Sequence, residues 1–225
     1  MRVLVSAACL AMLLWASESQ ATAPASYRIR DSKPMKDALV QIVSFDAVAG
    51  LDQSGVRKIY TALIAASASF RREAKECSAA AQGHPWAYEL TFEKVLVSKK
   101  YLSVVFTKST VCAGSPDIEK EARVFSIPTG NLLPARALFK QIFPKAKLVI
   151  GVSPNRELIE FDEEMAETMI GESKEVLKVY DKRCDFFLKN TSYRIWMDGK
   201  NMILFPEFIQ PESFCQKEYL IQPED

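Results

Sequence analysis

Four cysteines constrain this chain more than any other feature. The sequence has 225 residues and five cysteines in all, Cys9, Cys77, Cys112, Cys184 and Cys215. Cys9 lies in an N-terminal segment that reads as an address rather than as structure. Met1-Arg2 is a short positive start, Val3 to Trp15 is an apolar run, and small and polar residues then lead to Ser19-Gln20-Ala21. That order is the pattern of a secretory signal peptide. The apolar run, about thirteen residues, is short of the roughly 20 that a membrane-spanning helix needs. Cleavage is expected after Ala21, because a cut after Ala23 would place Pro24 directly behind the bond, where its fixed φ suits a protease subsite badly. A lipid anchor at Cys9 is not expected, since the apolar stretch continues beyond it.

Removing residues 1–21 leaves Cys77, Cys112, Cys184 and Cys215, an even number in an oxidising compartment, so two disulfides are expected. No two of the four are spaced to present a thiolate pair to zinc from one short turn. Three pairings are possible. Cys77–Cys112 and Cys184–Cys215 are preferred, because each closes a loop of about 30 to 40 residues between neighbouring elements, which the chain-entropy model values at roughly 3 to 4 kcal/mol.

The remaining composition acts mainly by exclusion. An apolar content of 48% is enough for a buried core. Lys and Arg number 29 against 28 Asp and Glu, for a formal charge of +1, so no global field favours nucleic acid or an anionic membrane. His84 is the only histidine. That excludes multi-histidine zinc sites and leaves no second imidazole for a catalytic pair.

Along the chain, residues 22–36 mix Ala, Ser, Pro and charge without a period and read as a flexible lead-in; residues 37–225 read as one domain. Leu39, Val40, Ile42, Val43 and Phe45 predict a strand. Asp52 or Ser54 then caps a long helix whose stripe is Val56, Tyr60, Leu63, Ile64, Ser67 and Phe70, closed by Gly83-His84-Pro85. Trp86–Val97 and Tyr101–Val111 predict a hairpin, Glu121–Ile127 a strand, and Ala135–Phe143 a short helix. Residues Pro154–Glu175 predict an acidic helix with Leu158, Ile159, Phe161, Met165 and Met169 buried. Its acids face solvent or dock a basic partner. Lys182–Lys189 and Ser192–Met197 read as β segments, Asp198-Gly199 as a tight turn, Asn201–Phe205 as the returning strand and Cys215–Ile221 as a last strand.

Several short motifs occur in a familiar order: Tyr101-Leu102-Ser103-Val104-Val105-Phe106; Cys112-Ala113-Gly114; Arg123 to Leu133 with its Thr129-Gly130 turn; Leu138-Phe139; Phe186-Phe187-Leu188; Asp198-Gly199; Ile203-Leu204-Phe205; and Phe208-Ile209-Gln210-Pro211. From about residue 38 to 222 the chain resembles the PdaC/RsiV-like extracytoplasmic domain family, which is shared by an anti-sigma factor, the non-catalytic region of a peptidoglycan deacetylase and a secreted mycobacterial immunogenic antigen. The resemblance implies an α+β fold: an antiparallel sheet built from hairpins, with the long amphipathic helix and the acidic helix packed on it. It implies no catalysis. The chain departs from the family at Cys112-Ala113-Gly114-Ser115, where a Gly-Gly-Ala-His loop is usual, and at Glu207 and Glu212, where aromatic residues are usual; both departures weaken the transfer of a specific ligand.

The residues themselves also favour binding over chemistry. Neither Gly-x-Ser-x-Gly nor a phosphate-cradling glycine loop is present, and the Glu160/Glu164 pair at i and i+4 is ordinary on a solvated helix. No catalytic residue, cofactor or metal is expected. Phe205, Phe208 and Phe214, interleaved with Pro206 and Pro211 and flanked by Glu212, form an apolar segment that prolines stiffen, so it loses less entropy on docking; Glu160 and Glu164 add negative charge. The expected role is a secreted or periplasmic binding domain for a cell-envelope-related protein or glycan, lysozyme being the first candidate partner. It would bind no nucleic acid and have no stable membrane insertion after cleavage. The alternatives are a structural component of an envelope assembly and a hydrolase without a recognised motif.

Overall fold

The computed structural model describes residues 24–114, 116–145, 148, 158–177, 182–207 and 212–222. The expected signal segment, its expected cleavage site and Ser115 lie outside these residues. The order of elements is β1 (Ala25–Met35), β2 (Ala38–Val48), α1 (Gln53–Ala80), β3 (Ala87–Val97), β4 (Tyr101–Val111), β5 (Pro116–Ser126), β6 (Leu132–Leu133), α2 (Ala135–Ile142), α3 (Glu163–Leu177), α4 (Asp185–Lys189), β7 (Tyr193–Asp198), β8 (Asn201–Pro206) and β9 (Tyr219–Ile221). Short 3-10 helices, Lys182–Cys184 and Glu212–Cys215, precede α4 and β9.

The α+β class matches the expectation, with strands β1 to β6 forming one curled sheet in sequence order. One pairing departs from the expected antiparallel sheet. β2 and β3 run parallel through Ala38↔Tyr88, Leu39↔Glu89 and Val40↔Leu90, because α1 intervenes and a long helical crossover returns the chain in the same direction. A separate three-stranded sheet, β7-β8-β9, packs on the other face.

Pleat alternation along β4 assigns the two faces. Leu102, Val104 and Phe106 face α1 with Ile59, Leu63, Phe70 and Phe125, while Tyr101 and Val105 face the second layer with Trp196, Leu138 and Phe139. Ser103, on that second face, is fully buried. Its hydroxyl donates to Met197 O at 2.9 Å and accepts from Met197 N at 3.1 Å, stitching β4 to β7.

The helix α1 starts as expected, with the Asp52 carboxylate accepting from Gly55 N at 2.7 Å. Its buried stripe runs through Val56, Ile59, Leu63, Ser67, Phe70, Ala74 and Cys77; Tyr60, expected in the stripe, is exposed. The four cysteines pair as Cys77–Cys112, with Cα atoms 4.6 Å apart, and Cys184–Cys215, 5.6 Å apart. Two disulfides fit an extracellular or secreted chain. No helix among the described residues is long and apolar enough to cross a membrane.

Three expectations are corrected. Residues 25–35, read as part of a flexible lead-in, form β1, paired with β2 from Ala25↔Val48 to Met35↔Ala38. The charges of this edge strand face solvent and mask the period, while Tyr27 stacks on Phe45 and Phe92 at 5.7 and 5.3 Å. The acidic helix begins only at Glu163, where the Asp162 carboxylate accepts from Met165 N at 2.9 Å. Before it the chain is extended, with Ile159 bridging Tyr193 and Phe161 bridging Leu148. Lys182–Lys189 is helical rather than β, because Cys184, Phe187 and Leu188 fall at helical spacing and turn toward the core together.

Candidate functional site

The second disulfide organises a surface that carries two exposed aromatic rings. On α4, Leu188 is buried and Phe187 packs against the core, which turns Phe186 outward, 70% exposed. Across Cys184–Cys215, the short helix Glu212–Cys215 presents Phe214, 46% exposed. The Arg183 guanidinium lies 5.4 Å from the Phe214 ring centroid, and Phe186 meets Phe187 edge-on at 5.6 Å.

The backbone under these rings is pinned from the second sheet. The Tyr193 hydroxyl donates to Leu188 O, and the Tyr219 hydroxyl donates to Cys215 O at 2.9 Å. Burial pushes both phenols up, Tyr219 to about 12, so both keep their protons and remain donors at physiological pH. Asn190 Nδ2 closes α4 by donating to Phe186 O at 2.8 Å. The platform is therefore held by a disulfide and by hydrogen bonds while its rings stay in water.

Beside it lies the acidic face of α3. Glu163, Glu164 and Glu167 are exposed, and Glu167 pairs with Lys189 of α4. Glu160 is not on this face. It lies in the extended segment and accepts from Ser192 Oγ at 2.9 Å, so the expected helical Glu160/Glu164 pair is replaced by Glu164 alone with its α3 neighbours.

The expected aromatic surface is only partly realised. Phe205 is buried in β8 and approaches Trp196 at 6.3 Å, because Met202 to Pro206 are all buried, so both faces of β8 are covered. Phe208 and Pro211 lie outside the described residues, and Glu212 opens the short helix that presents Phe214. Phe186 was missed through the β reading of its segment. The 184/187/188 helical spacing would have shown that Phe186 points away from the core.

His84 is exposed at the turn after α1. Among the described residues, no three His, Cys, Asp or Glu side chains gather as a metal site. A charge cluster built on Arg194, Glu121 and Lys108 is nearly buried at the edge of β5, with Lys108 and Glu121 on the α1 face of the first sheet.

These features define an α+β domain whose second disulfide anchors an exposed aromatic platform beside an acidic helix. No protein-family model matches the chain, and no curated protein matches it. Its likeness to the PdaC/RsiV-like domains rests on the sequence motifs alone.

Proposed function

We propose that this chain is a secreted or periplasmic, non-catalytic binding domain that recognises a cell-envelope-related protein or glycan through the platform of Phe186 and Phe214. The observation that carries the reading is the pair of exposed rings on a backbone that is already fixed. Aromatic side chains are the commonest binding anchors, and little ordering entropy remains to be lost when such an anchor docks. Glu163, Glu164 and Glu167 supply a field that steers a basic partner, which keeps lysozyme as the first protein to try. The signal-like segment and the two disulfides support the compartment.

The test is calorimetric titration of the disulfide-bonded chain with lysozyme at low and moderate salt, repeated with Phe186→Ser and Phe214→Ser. Binding that weakens with salt and falls about ten-fold or more in either variant, at an unchanged unfolding midpoint, is expected. Absence of binding at both salts removes lysozyme. If wild type and the double variant then retain the same proteins from envelope extracts, the platform is not a binding surface.

A second reading, a component of a larger envelope assembly, draws on β1. This strand of 11 residues is the edge of its sheet, and a sheet edge can accept a strand from another chain. A stable partner that co-purifies and is lost when proline interrupts β1 would favour it.

A further inference from the structure

A cavity lies between the tips of two hairpins. The β3–β4 turn and the β7–β8 turn enclose a cavity of about 430 Å³, closed from the side by the end of α2. Its apolar walls are Tyr101, Ile142 and Met197, and Lys99, Lys100 and Lys200 stand at its rim.

The frame is preorganised. Ser98 Oγ accepts from Lys100 N at 3.3 Å and from Tyr101 N at 3.0 Å, while Lys100 O accepts from Ile127 N at 2.9 Å. Gly199 makes the opposite turn with φ +61°. The reciprocal bonds between Ser103 and Met197 fix the spacing of the two hairpins.

Two observations point to an anion. None of the three lysines has an acidic partner among the described residues, although ion pairs are plentiful elsewhere in the protein. Tyr101 is only 6% exposed, and its hydroxyl meets no partner among the described residues. Burial raises the phenol above its ordinary value, so it keeps its proton and offers a donor at the cavity wall. A donor in the wall and three lysines at the rim suit an anionic oxygen, which charge-assisted hydrogen bonds would hold.

We propose that this cavity binds a small amphiphile with a phosphate or carboxylate head, the head taken by Tyr101 Oη and the three lysines and the apolar body laid against Ile142 and Met197. The size suits such a ligand, since small-molecule sites begin at roughly 300 Å³.

Isothermal titration of the full disulfide-bonded chain with octyl phosphate and with octanoate tests the proposal, with octanol and inorganic phosphate as the separate halves. Saturable one-site binding of at least one anionic amphiphile is expected, weakened by salt, about ten-fold weaker in Tyr101→Phe and a few-fold weaker in Lys99→Gln or Lys200→Gln. The stronger of the two probes identifies the head group. Saturation by neither anionic probe overturns the proposal. So does octanol or inorganic phosphate binding as tightly as the amphiphile, or wild-type affinity in all three variants. The two lysine variants alter exposed turn positions, so their result stands even where Tyr101→Phe perturbs folding.

Discussion

Arg194 reaches from β7 around the open edge of β5 to Glu121, placing its Nη2 2.9 Å from Glu121 Oε1, with side chains only 4% and 7% exposed. Its Nε donates to Lys120 O at 3.1 Å, so the same guanidinium satisfies an edge carbonyl of β5. Glu207 Oε1 takes Nη2 from the other side at 2.8 Å. The pair thus joins the two sheets where β6 is too short to cover the edge.

Breaking this pair should be costly. Arg194→Met is expected to destabilise the fold by about 3 kcal/mol, the lower end for a broken buried pair, because Arg123 Nη1 remains 3.1 Å from Glu121. Urea unfolding of Arg194→Met, Glu121→Gln and the double variant measures it. A coupling of 1 kcal/mol or more is expected between the two sites.

Stability should fall in acid through Glu119 and Glu93. Burial alone would raise the Glu119 carboxyl, but Lys108 beside it outweighs burial and holds it below the usual carboxylate range. Lys120 and Thr107 do the same for Glu93. A carboxyl lowered in the folded state contributes stability that is present above its unfolded pKa and is lost as pH falls through the folded one. Asp117 works in the opposite direction, since burial and the charge of Glu119 raise it. Asp117→Asn should therefore increase the denaturation midpoint at pH 7 and leave it unchanged at pH 3, where Asp117 is protonated in both states.

The two turn glycines should differ in their response to alanine. Gly130 has φ +68°, and a Cβ there would stand 2.2 Å from Gly55 O at the start of α1. Gly199 has φ +61° with nothing within 4 Å of such a Cβ. Gly199→Ala should cost only the left-handed backbone, about 1 kcal/mol, whereas Gly130→Ala adds a backbone clash and should cost at least twice as much. Thermal unfolding of both variants tests the difference.

Each disulfide should contribute separately. The bridges close segments of 35 and 31 residues, so Cys77→Ser/Cys112→Ser and Cys184→Ser/Cys215→Ser should each lose about 3 kcal/mol. Only the second pair should also expose the Leu188 and Cys215 backbone to hydrogen exchange, since it frees the platform that carries Phe186 and Phe214.

Much of the frame was legible from local pattern. Asp52 capping, the β3–β4 and β7–β8 hairpins, α2 with Leu138 and Phe139, and the cysteine pairing all depend on residues close in sequence or on a count of thiols. The exposed aromatic platform was less legible. Phe214 was recognised, but Phe205 proved to be core and Phe186 was hidden by a segment as apolar as a strand and as short as a helical turn. β1 was missed because an edge strand gains its order from ladder bonds to β2 rather than from an apolar face of its own.

By itself, then, the sequence determined the α+β class, the number of disulfides and most element boundaries, since periodicity, capping and turn chemistry act over a few residues. Only the tertiary structure decided which aromatics stay in water, that β2 and β3 run parallel, that Arg194 and Glu121 meet, and that two hairpin tips enclose a lysine-rimmed cavity. Each of those depends on contacts between residues far apart in the chain, such as Ser103 with Met197, whose pairing no local pattern encodes.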